Sequence, residues 1–190
     1  SGEFIDGDIE EGSITIMLLN MNPKYFKLKF LETGEQSTYE NAKQMGIEGK
    51  NTYTNPAFII ATGWLSNDGE HIVEGITEGF GSDVTIFGGM AGDDLALEGP
   101  IVFTNKKSSD KGLLGLIIDE DKIEINGIAT CGWKAIGTTK TITKSEENIV
   151  YTIDDKPALD TIIKYLGVDY DFNSGKEIVT QVSAYYPLQM

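Results

Sequence analysis

One segment of the chain, residues 87–94, combines residue types that can bind a small ligand. It follows the β-branched run Val84-Thr85-Ile86, which predicts a buried strand. Glycine lets a ligand approach the backbone closely, and two adjacent carboxylates are costly to bury unless a partner neutralises them. A tight turn between strands, in which the aspartates bond to nearby backbone, is the alternative interpretation. The candidate ligand-binding residues of the segment are Gly88, Gly89, Ala91, Gly92, Asp93 and Asp94.

A tryptophan is the second candidate for contact with a ligand. Trp133 lies between Gly132 and Lys134, and its ring either anchors the core or forms the apolar wall of a pocket. The neighbouring thiol, Cys131, has no histidine nearby in sequence that could activate it as a nucleophile. We therefore predict a structural role for Cys131 and keep Trp133 as a candidate ligand contact.

Motifs for phosphate binding, metal binding and nucleophilic catalysis are incomplete in this sequence. Residues 132–138 have the two glycines of a phosphate loop, but Thr138 occupies the position of the essential lysine. Residues 169–175 resemble the start of a calcium loop but lack its glycine and its bidentate glutamate. The single histidine, His71, excludes a multi-histidine metal site and argues against a Ser-His-Asp hydrolase. We expect no enzymatic activity, no metal and no cofactor.

The chain is strongly acidic, with 30 aspartates and glutamates, 15 lysines, no arginine and a formal net charge of −15. Nucleic-acid binding depends on neutralising phosphates, and a negative field also repels anionic membrane surfaces. No stretch approaches the ~18 consecutive apolar residues of a membrane span. A single cysteine excludes an intrachain disulfide and favours a reducing compartment. We therefore expect a cytoplasmic protein that binds neither nucleic acid nor membrane.

Apolar and β-branched runs, separated by turn residues, predict a series of strands. The first two runs flank the turn sequence Asn20-Met21-Asn22-Pro23, which predicts that they form a hairpin. The predicted strands are residues 14–19, 25–31, 56–62, 84–87, 101–104, 112–118, 122–130, 140–144, 148–153 and 177–180.

Capping residues predict about three helices, each with a start residue and a terminal glycine. The predicted pairs are Ser37 with Gly46 or Gly49, Asp68 with Gly79 or Gly81, and Pro157 with Gly167. The middle helix lies between strands 56–62 and 84–87, which predicts a strand–helix–strand unit with two parallel strands. The loop after the second strand, which is the candidate segment, then emerges at a carboxyl end, where α/β proteins tend to bind ligands. The predicted fold class is α+β, with mixed, largely antiparallel sheets and about three covering helices.

Four motifs resemble the N-terminal region of the FIST sensory domain. The most specific is Phe87-Gly88-Gly89-Met90-Ala91-Gly92-Asp93-Asp94, which resembles the family's Gly-Gly-x-Ala-Gly-Asp-Asp signature. Residues 131–137 resemble its Gly-Trp-x-x-x-Gly motif, residues 151–159 resemble a segment that usually reads Gly-Lys-Pro-Ala, and residues 1–3 resemble its early Gly-Glu turn. Asp155 replaces the usual glycine of the third motif, so the turn there is expected to differ.

The resemblance also implies a domain division. Residues 1–167 are expected to form an N-terminal FIST region, in which the first strand and helix of the family are missing. The chain also starts without a methionine and looks processed or cut from a longer one. Residues 168–190 are expected to be a linker and the start of the C-terminal FIST region, which begins near Tyr186-Pro187-Leu188.

The resemblance implies a non-catalytic, intracellular sensory domain of a bacterial signal-transduction protein. Its expected partners are a small-molecule ligand, with amino acids among the suggested inputs, and an output signalling domain in the same or a neighbouring chain. In this hypothesis the N–H groups of residues 88–94 face an anionic end of the ligand, Asp93 or Asp94 accepts bonds from an amine, and Trp133 supplies an apolar wall. The alternative is a protein–protein interaction scaffold, whose expected mark is an exposed apolar patch.

Overall fold

The computed structural model describes residues 3–5, 7–10, 12–34, 36–63, 68–92, 99–128, 130, 132, 134–146 and 149–167. The chain divides into two compact units, Ser1–Ile128 and Ala129–Met190. Mixed and antiparallel sheets occur together with three described helices, which confirms the predicted α+β class. Residues 168–190, which were predicted to hold the linker, a strand at 177–180 and the start of a second region, lie outside the described residues.

The elements of the first unit are, in chain order, β1 (Glu3–Ile5), β2 (Asp8–Glu10), β3 (Phe26–Glu32), α1 (Thr38–Thr52), β4 (Pro56–Thr62), α2 (Gly69–Phe80), β5 (Thr85–Met90), β6 (Val102–Phe103), β7 (Ser108–Ser109) and β8 (Gly112–Asp119). Those of the second unit are β9 (Ile142–Glu146), β10 (Ile149–Ile153), β11 (Lys156–Pro157) and α3 (Ala158–Leu166).

A four-stranded sheet with the order β3-β8-β4-β5 forms the centre of the first unit. β8 pairs antiparallel with β3 and with β4, whereas β4 and β5 are parallel and are joined through α2. The predicted strand–helix–strand unit is therefore present. Alternate residues of β4 and β8 share one face of the sheet. On that face they join α1 and α2 in a buried core of Ala42, Met45, Phe58, Ile60, Ile72, Ile76, Leu113 and Ile117.

Local capping sets the helix ends much as the sequence predicts. Ser37 Oγ accepts a hydrogen bond from the Glu40 amide at 3.2 Å, and Asp68 caps α2 in the same way through the Glu70 amide at 2.9 Å. Gly81 ends α2 with φ 99°, a left-handed conformation that favours glycine. The predicted end of α1 near Gly46 or Gly49 is too early, since α1 continues to Thr52.

The early prediction failed because the glycines of α1 serve packing rather than termination. A Cβ built at Gly46 would lie 2.2 Å from the carbonyl oxygen of Ile76 in α2. On the facing helix, a Cβ at Gly79 would lie 2.2 Å from the carbonyl oxygen of Lys43. The two helices therefore approach so closely that no side chain fits at these positions. Lys43 also forms a salt bridge with Glu78 of α2 at 2.6 Å, which links the same two helices at the surface.

The predicted hairpin between residues 14–19 and 25–31 is wrong. The second run forms β3, but residues 14–19 form no strand and their apolar side chains are exposed, at 84% for Ile14 and 90% for Leu18. β3 pairs instead with β8 over its whole length, from Phe26 opposite Ile118 to Glu32 opposite Gly112. Apolar character shows that a run suits a strand, but it does not choose the strand that will pair with it.

The strand predicted at residues 122–130 is also wrong within its described part, 122–128 and 130. The amides of Lys122 and Ile123 both donate to the carbonyl oxygen of Asp119 at 3.0 Å, so the chain turns tightly after β8. Farther on, Gly127 lies against the ring of Phe87, where a Cβ would come within 2.4 Å of a ring carbon. A turn and a close contact thus replace the alternating strand that the pattern favoured.

The second unit contains a small antiparallel sheet with the order β11-β10-β9 and the helix α3. The predicted hairpin of β9 and β10 is confirmed, as is the end of α3 at Gly167, which has φ 63°. Asp154 and Asp155, with φ 48° and 59°, form the turn between β10 and β11. Two consecutive residues with positive φ are typical of a type I′ turn, and aspartate tolerates this conformation better than most side chains. The aspartate that replaces the family's usual glycine is thus compatible with a tight turn.

One surface ion cluster gives the stability of the first unit a predicted pH dependence. Hydrogen bonds from Lys27 and Lys29 of β3 hold the pKa of Glu48 in α1 below its ordinary value, against the opposing effect of partial burial. A carboxyl group with a lowered pKa in the folded state stabilises the fold above its unfolded pKa of about 4.3, and this contribution is lost as pH falls through the lower folded pKa. We expect Glu48→Gln to reduce the free energy of unfolding at pH 7 by about 0.5–1 kcal/mol, as for a favourable surface network.

Urea denaturation at pH 7 and at about pH 3 measures this effect, because the difference between wild type and Glu48→Gln should shrink toward zero at the lower pH. Glu74→Gln is the matched control, since Glu74 is an exposed glutamate of α2 in no salt bridge among the described residues. A difference for Glu48→Gln that stays the same at both pH values would contradict the prediction.

Candidate functional site

The candidate segment begins inside a strand rather than after it. Gly88, Gly89 and Met90 are the last residues of β5, and Gly88 and Gly89 lie opposite Ile60 and Ala61 of β4. The amide of Ala91 then donates to the carbonyl oxygen of Thr62 at 2.9 Å, which continues the parallel pairing by one residue beyond β5. The carboxyl ends of β4 and β5 therefore lie side by side, as the strand–helix–strand prediction requires.

The two glycines at the end of β5 have different surroundings. A Cβ at Gly88 would lie 2.1 Å from the carbonyl oxygen of Ile60, so Gly88 is required for the contact between β4 and β5. A Cβ at Gly89 would meet no atom within 4 Å. Both glycines are exposed. Gly88 thus has a packing role of its own, and Gly89 offers open space beside the backbone.

The end of β4 is anchored from the opposite side by β8. The buried Thr62 donates its hydroxyl to the carbonyl oxygen of Gly112 at 3.1 Å, and the Gly63 amide donates to the same oxygen at 3.0 Å. A Cβ at Gly63 would lie 2.1 Å from the carbonyl oxygen of Asp110, so this region is closely packed. Hydrogen bonds and close packing therefore hold the carboxyl end of β4 in place, next to the exposed end of β5.

The structure places part of the predicted site in this way. Gly88, Gly89, Ala91 and Gly92 follow one another along the carboxyl edge of β5, and Ala91 is half-buried whereas Gly92 is exposed. The remaining candidates, Asp93, Asp94 and Trp133, lie outside the described residues, as does Cys131. Their roles stay predictions.

A second candidate site, which sequence reasoning missed, lies in the second unit. It is a groove of about 510 Å³ lined by Lys140, Ile153, Asp154, Lys156, Pro157, Asp160, Thr161, Lys164 and Tyr165. Its polar side chains come from the segment before β9, the turn after β10, and α3. No spacing along the chain brings these segments together, so periodicity could not have found the groove. The one local signal was the turn sequence at residues 154–157, which by itself indicated only the start of a helix.

One wall of the groove is an exposed network centred on Lys140. Its ammonium forms a salt bridge with Asp154 at 2.9 Å and lies 5.3 Å from the centre of the Tyr165 ring. The hydrogen bond with Asp154 raises the pKa of Lys140, and the same bond, followed by one from the Thr141 amide, lowers the pKa of Asp154. The pKa of Tyr165 is lowered mainly by its contact with the hydroxyl of Thr138, and next by Lys140. The charge on Lys140 is thus already engaged by its neighbours.

Metal sites and membrane-spanning helices are absent from the part of the chain that the structure describes. No group of three His, Cys, Asp or Glu side chains there is placed to hold a metal ion. The sole histidine, His71, is an exposed residue of the first turn of α2 and lies 3.8 Å from a carboxylate oxygen of Asp68. No described helix combines the length and the apolar character needed to cross a membrane.

Comparison with known proteins gives one match. The family model described as the FIST N domain matches residues 1–156, which include the glycine-rich end of β5 and extend to the beginning of β11. No curated protein and no solved structure matches the chain. The family consists of sensory domains of signal-transduction proteins. Because the family model covers most of its length, the chain belongs to the FIST N domain family.

Proposed function

We propose that this sensory domain binds a small molecule at the carboxyl edge of β4 and β5 and passes the signal to an output domain. The observation that carries the proposal is the end of β5, where Gly89 is exposed and has open space beside its backbone. Ligands of sheets with parallel strands tend to bind outside the carboxyl ends of those strands. Glycine at such an edge lets a ligand reach the main-chain N–H and C=O groups.

The chemistry of the segment favours a ligand with both an anionic and a cationic group. Main-chain N–H groups of residues 88–92 would donate hydrogen bonds to the anionic group, apart from the Ala91 amide, which donates to Thr62. Asp93 or Asp94 would accept bonds from an amine, because charge-assisted hydrogen bonds between carboxylates and ammonium groups are the stronger kind. An amino acid carries these two groups a short distance apart, and it is the first ligand to test.

A thermal-shift screen against amino acids and common metabolites tests the proposal. A ligand that binds only the folded state raises the unfolding free energy by about 2.7 kcal/mol at a concentration of 100 Kd. We expect a saturable rise in melting temperature that disappears in Asp93→Asn or Asp94→Asn, while the melting temperature of the free protein stays the same. The opposite result, a loss of about 1–2 kcal/mol in stability with unchanged binding, would show that the aspartates act as a cap.

The two glycines of β5 supply a matched pair of variants for the same experiment. Gly89→Ala should leave the free protein as stable as before, because its Cβ meets no atom within 4 Å, but it should weaken the ligand-induced shift. Gly88→Ala should destabilise the free protein, because its Cβ would overlap the carbonyl oxygen of Ile60. A full ligand-induced shift in Gly89→Ala would place the ligand elsewhere.

A second candidate function is that of a protein–protein interaction scaffold. The observation that favours it is the exposure of the apolar run at residues 14–19, in which Ile14, Ile16 and Leu18 are 84%, 75% and 90% exposed. Contiguous apolar surface of this kind commonly marks an interaction site. A screen in which no compound changes the melting temperature would favour this function over ligand sensing.

A further inference from the structure

The groove of the second unit has the volume of a site for a small molecule. Its volume of about 510 Å³ lies within the range of about 300–1,000 Å³ found for ligand pockets. One side of the groove is a single face of α3, since Asp160 and Lys164, like Thr161 and Tyr165, lie four residues apart. The other side is the turn that joins β10 and β11.

We propose that this groove binds the anionic group of a small molecule, a carboxylate or a phosphate, through Lys156 and Lys164. The site is independent of the one proposed at β5. The site would bind anions, although the chain as a whole is strongly acidic and carries a net charge of −15.

The distribution of charge in the groove supports this assignment. Three lysines line it, and Lys140 is neutralised by Asp154 at 2.9 Å. Lys156 and Lys164 are exposed, and neither forms a salt bridge within 4.0 Å to a carboxylate of the described residues. Neither ammonium group is held in a direct ion pair, although Lys156 also interacts electrostatically with Asp154. An anion would therefore meet positive charge here, in a protein that is otherwise strongly acidic.

The start of α3 adds hydrogen-bond donors on the same side. The residue that precedes the helix, Pro157, makes no side-chain capping bond, so no side chain at that position satisfies the first N–H groups. Lys164 lies six residues into the helix, about 9 Å along its axis. Lys164 belongs to the last turn of α3, and it lines the same groove as Lys156.

Hydrogen bonds around the turn hold Lys156 in place relative to the helix. Asp154 accepts a bond from the Thr141 amide at 2.9 Å, and the Asp155 amide donates to the Thr143 hydroxyl at 2.9 Å. Lys156 follows directly and pairs with Ile153 as the first residue of β11. A turn fixed in this way loses little conformational freedom when a ligand binds, which favours binding.

One lining residue opposes an anion. Asp160 lies on the groove and carries a negative charge that no salt bridge among the described residues neutralises. Because Asp160 repels an anion, removal of its charge should strengthen the binding of an anion. A purely structural role for the groove predicts no such gain.

Amide chemical-shift titration of the 190-residue chain tests the proposal, with inorganic phosphate and succinate as separate probes and chloride to hold the ionic strength constant. We expect saturable shifts at the residues that line the groove. Lys156→Gln and Lys164→Gln should each weaken binding about two- to fivefold, the effect of losing one exposed ion pair. Asp160→Asn should strengthen it about twofold. Saturation by only one probe would support the proposal and identify the anion as phosphate or carboxylate.

Lys144→Gln is the matched control, because Lys144 belongs to β9 of the same unit, lies over the ring of Tyr151 and does not line the groove. The Lys144→Gln variant should bind each probe with the same affinity as the wild type. Lys156 and Lys164 belong to different elements, so a loss shared by both variants cannot come from local unfolding of one of them. Shifts that do not saturate with either probe, wild-type affinity in Lys156→Gln or Lys164→Gln, or no gain in Asp160→Asn would overturn the proposal.

Discussion

Replacement of Gly46 by alanine should lower the free energy of unfolding by about 2 kcal/mol. Its Cβ would lie 2.2 Å from the carbonyl oxygen of Ile76 and 2.9 Å from the Phe80 amide nitrogen, so it would meet the backbone of α2 rather than a side chain that can rotate away. Overpacking of this kind costs up to about 3 kcal/mol. The better helix propensity of alanine returns about 1 kcal/mol. Urea denaturation followed by circular dichroism measures the net loss.

Gly69→Ala is the matched control for this substitution. Gly69 is the first residue of α2, and a Cβ there would meet no atom within 4 Å. The same chemical change should therefore be neutral or stabilising by up to about 1 kcal/mol. Equal effects of Gly46→Ala and Gly69→Ala would contradict the close helix contact on which the prediction rests.

Phe58→Ala should destabilise the protein by about 3–5 kcal/mol, the largest loss expected from a single core substitution. The Phe58 side chain is completely buried, and its ring lies against the backbone of α1 at Gly49. A Cβ at Gly49 would come within 2.4 Å of a ring carbon. The size of the Phe58 ring therefore explains why α1 has a glycine at this position. Urea denaturation again measures the loss, and Phe103→Ala, at a phenylalanine that is 67% exposed, should cost far less.

The same contact predicts that a second substitution will compensate for the first. Gly49→Ala alone should be destabilising, because the new methyl group overlaps the Phe58 ring. In the Phe58→Ala background the ring is absent and the methyl group fills part of the cavity. The double variant should therefore be more stable than the sum of the single effects predicts, by at least about 1 kcal/mol. Additive effects would show that Gly49 and Phe58 are not in the contact described here.

These glycines also show where a local rule is insufficient. α1 was predicted to end near Gly46 or Gly49, because a glycine commonly ends a helix. At Gly81 the same rule was right, since that glycine has φ 99° and ends α2. Whether a glycine ends a helix or admits a neighbouring element depends on atoms that are distant in sequence.

The candidate sites also show what local sequence can predict and what it cannot. Local sequence predicted that a strand–helix–strand unit would bring residues 88–94 to the carboxyl edge of the sheet, and the parallel pairing of β4 and β5 confirms the unit. It did not predict that Gly88 packs against Ile60 while Gly89 stays open. The groove of the second unit was not predicted at all, because Lys140, Asp154 and Lys164 lie on separate segments.

The sequence by itself determined the class of the fold, the caps at Ser37 and Asp68 and the strand–helix–strand unit. These features depend on interactions among residues a few positions apart, or on the burial of one continuous apolar run. The tertiary structure alone decided that β3 pairs with β8, that residues 14–19 stay outside the sheet, and that three lysines meet in one groove. Strand partners and close approaches are contacts between distant segments, and their energy depends on how the whole chain packs rather than on any local pattern.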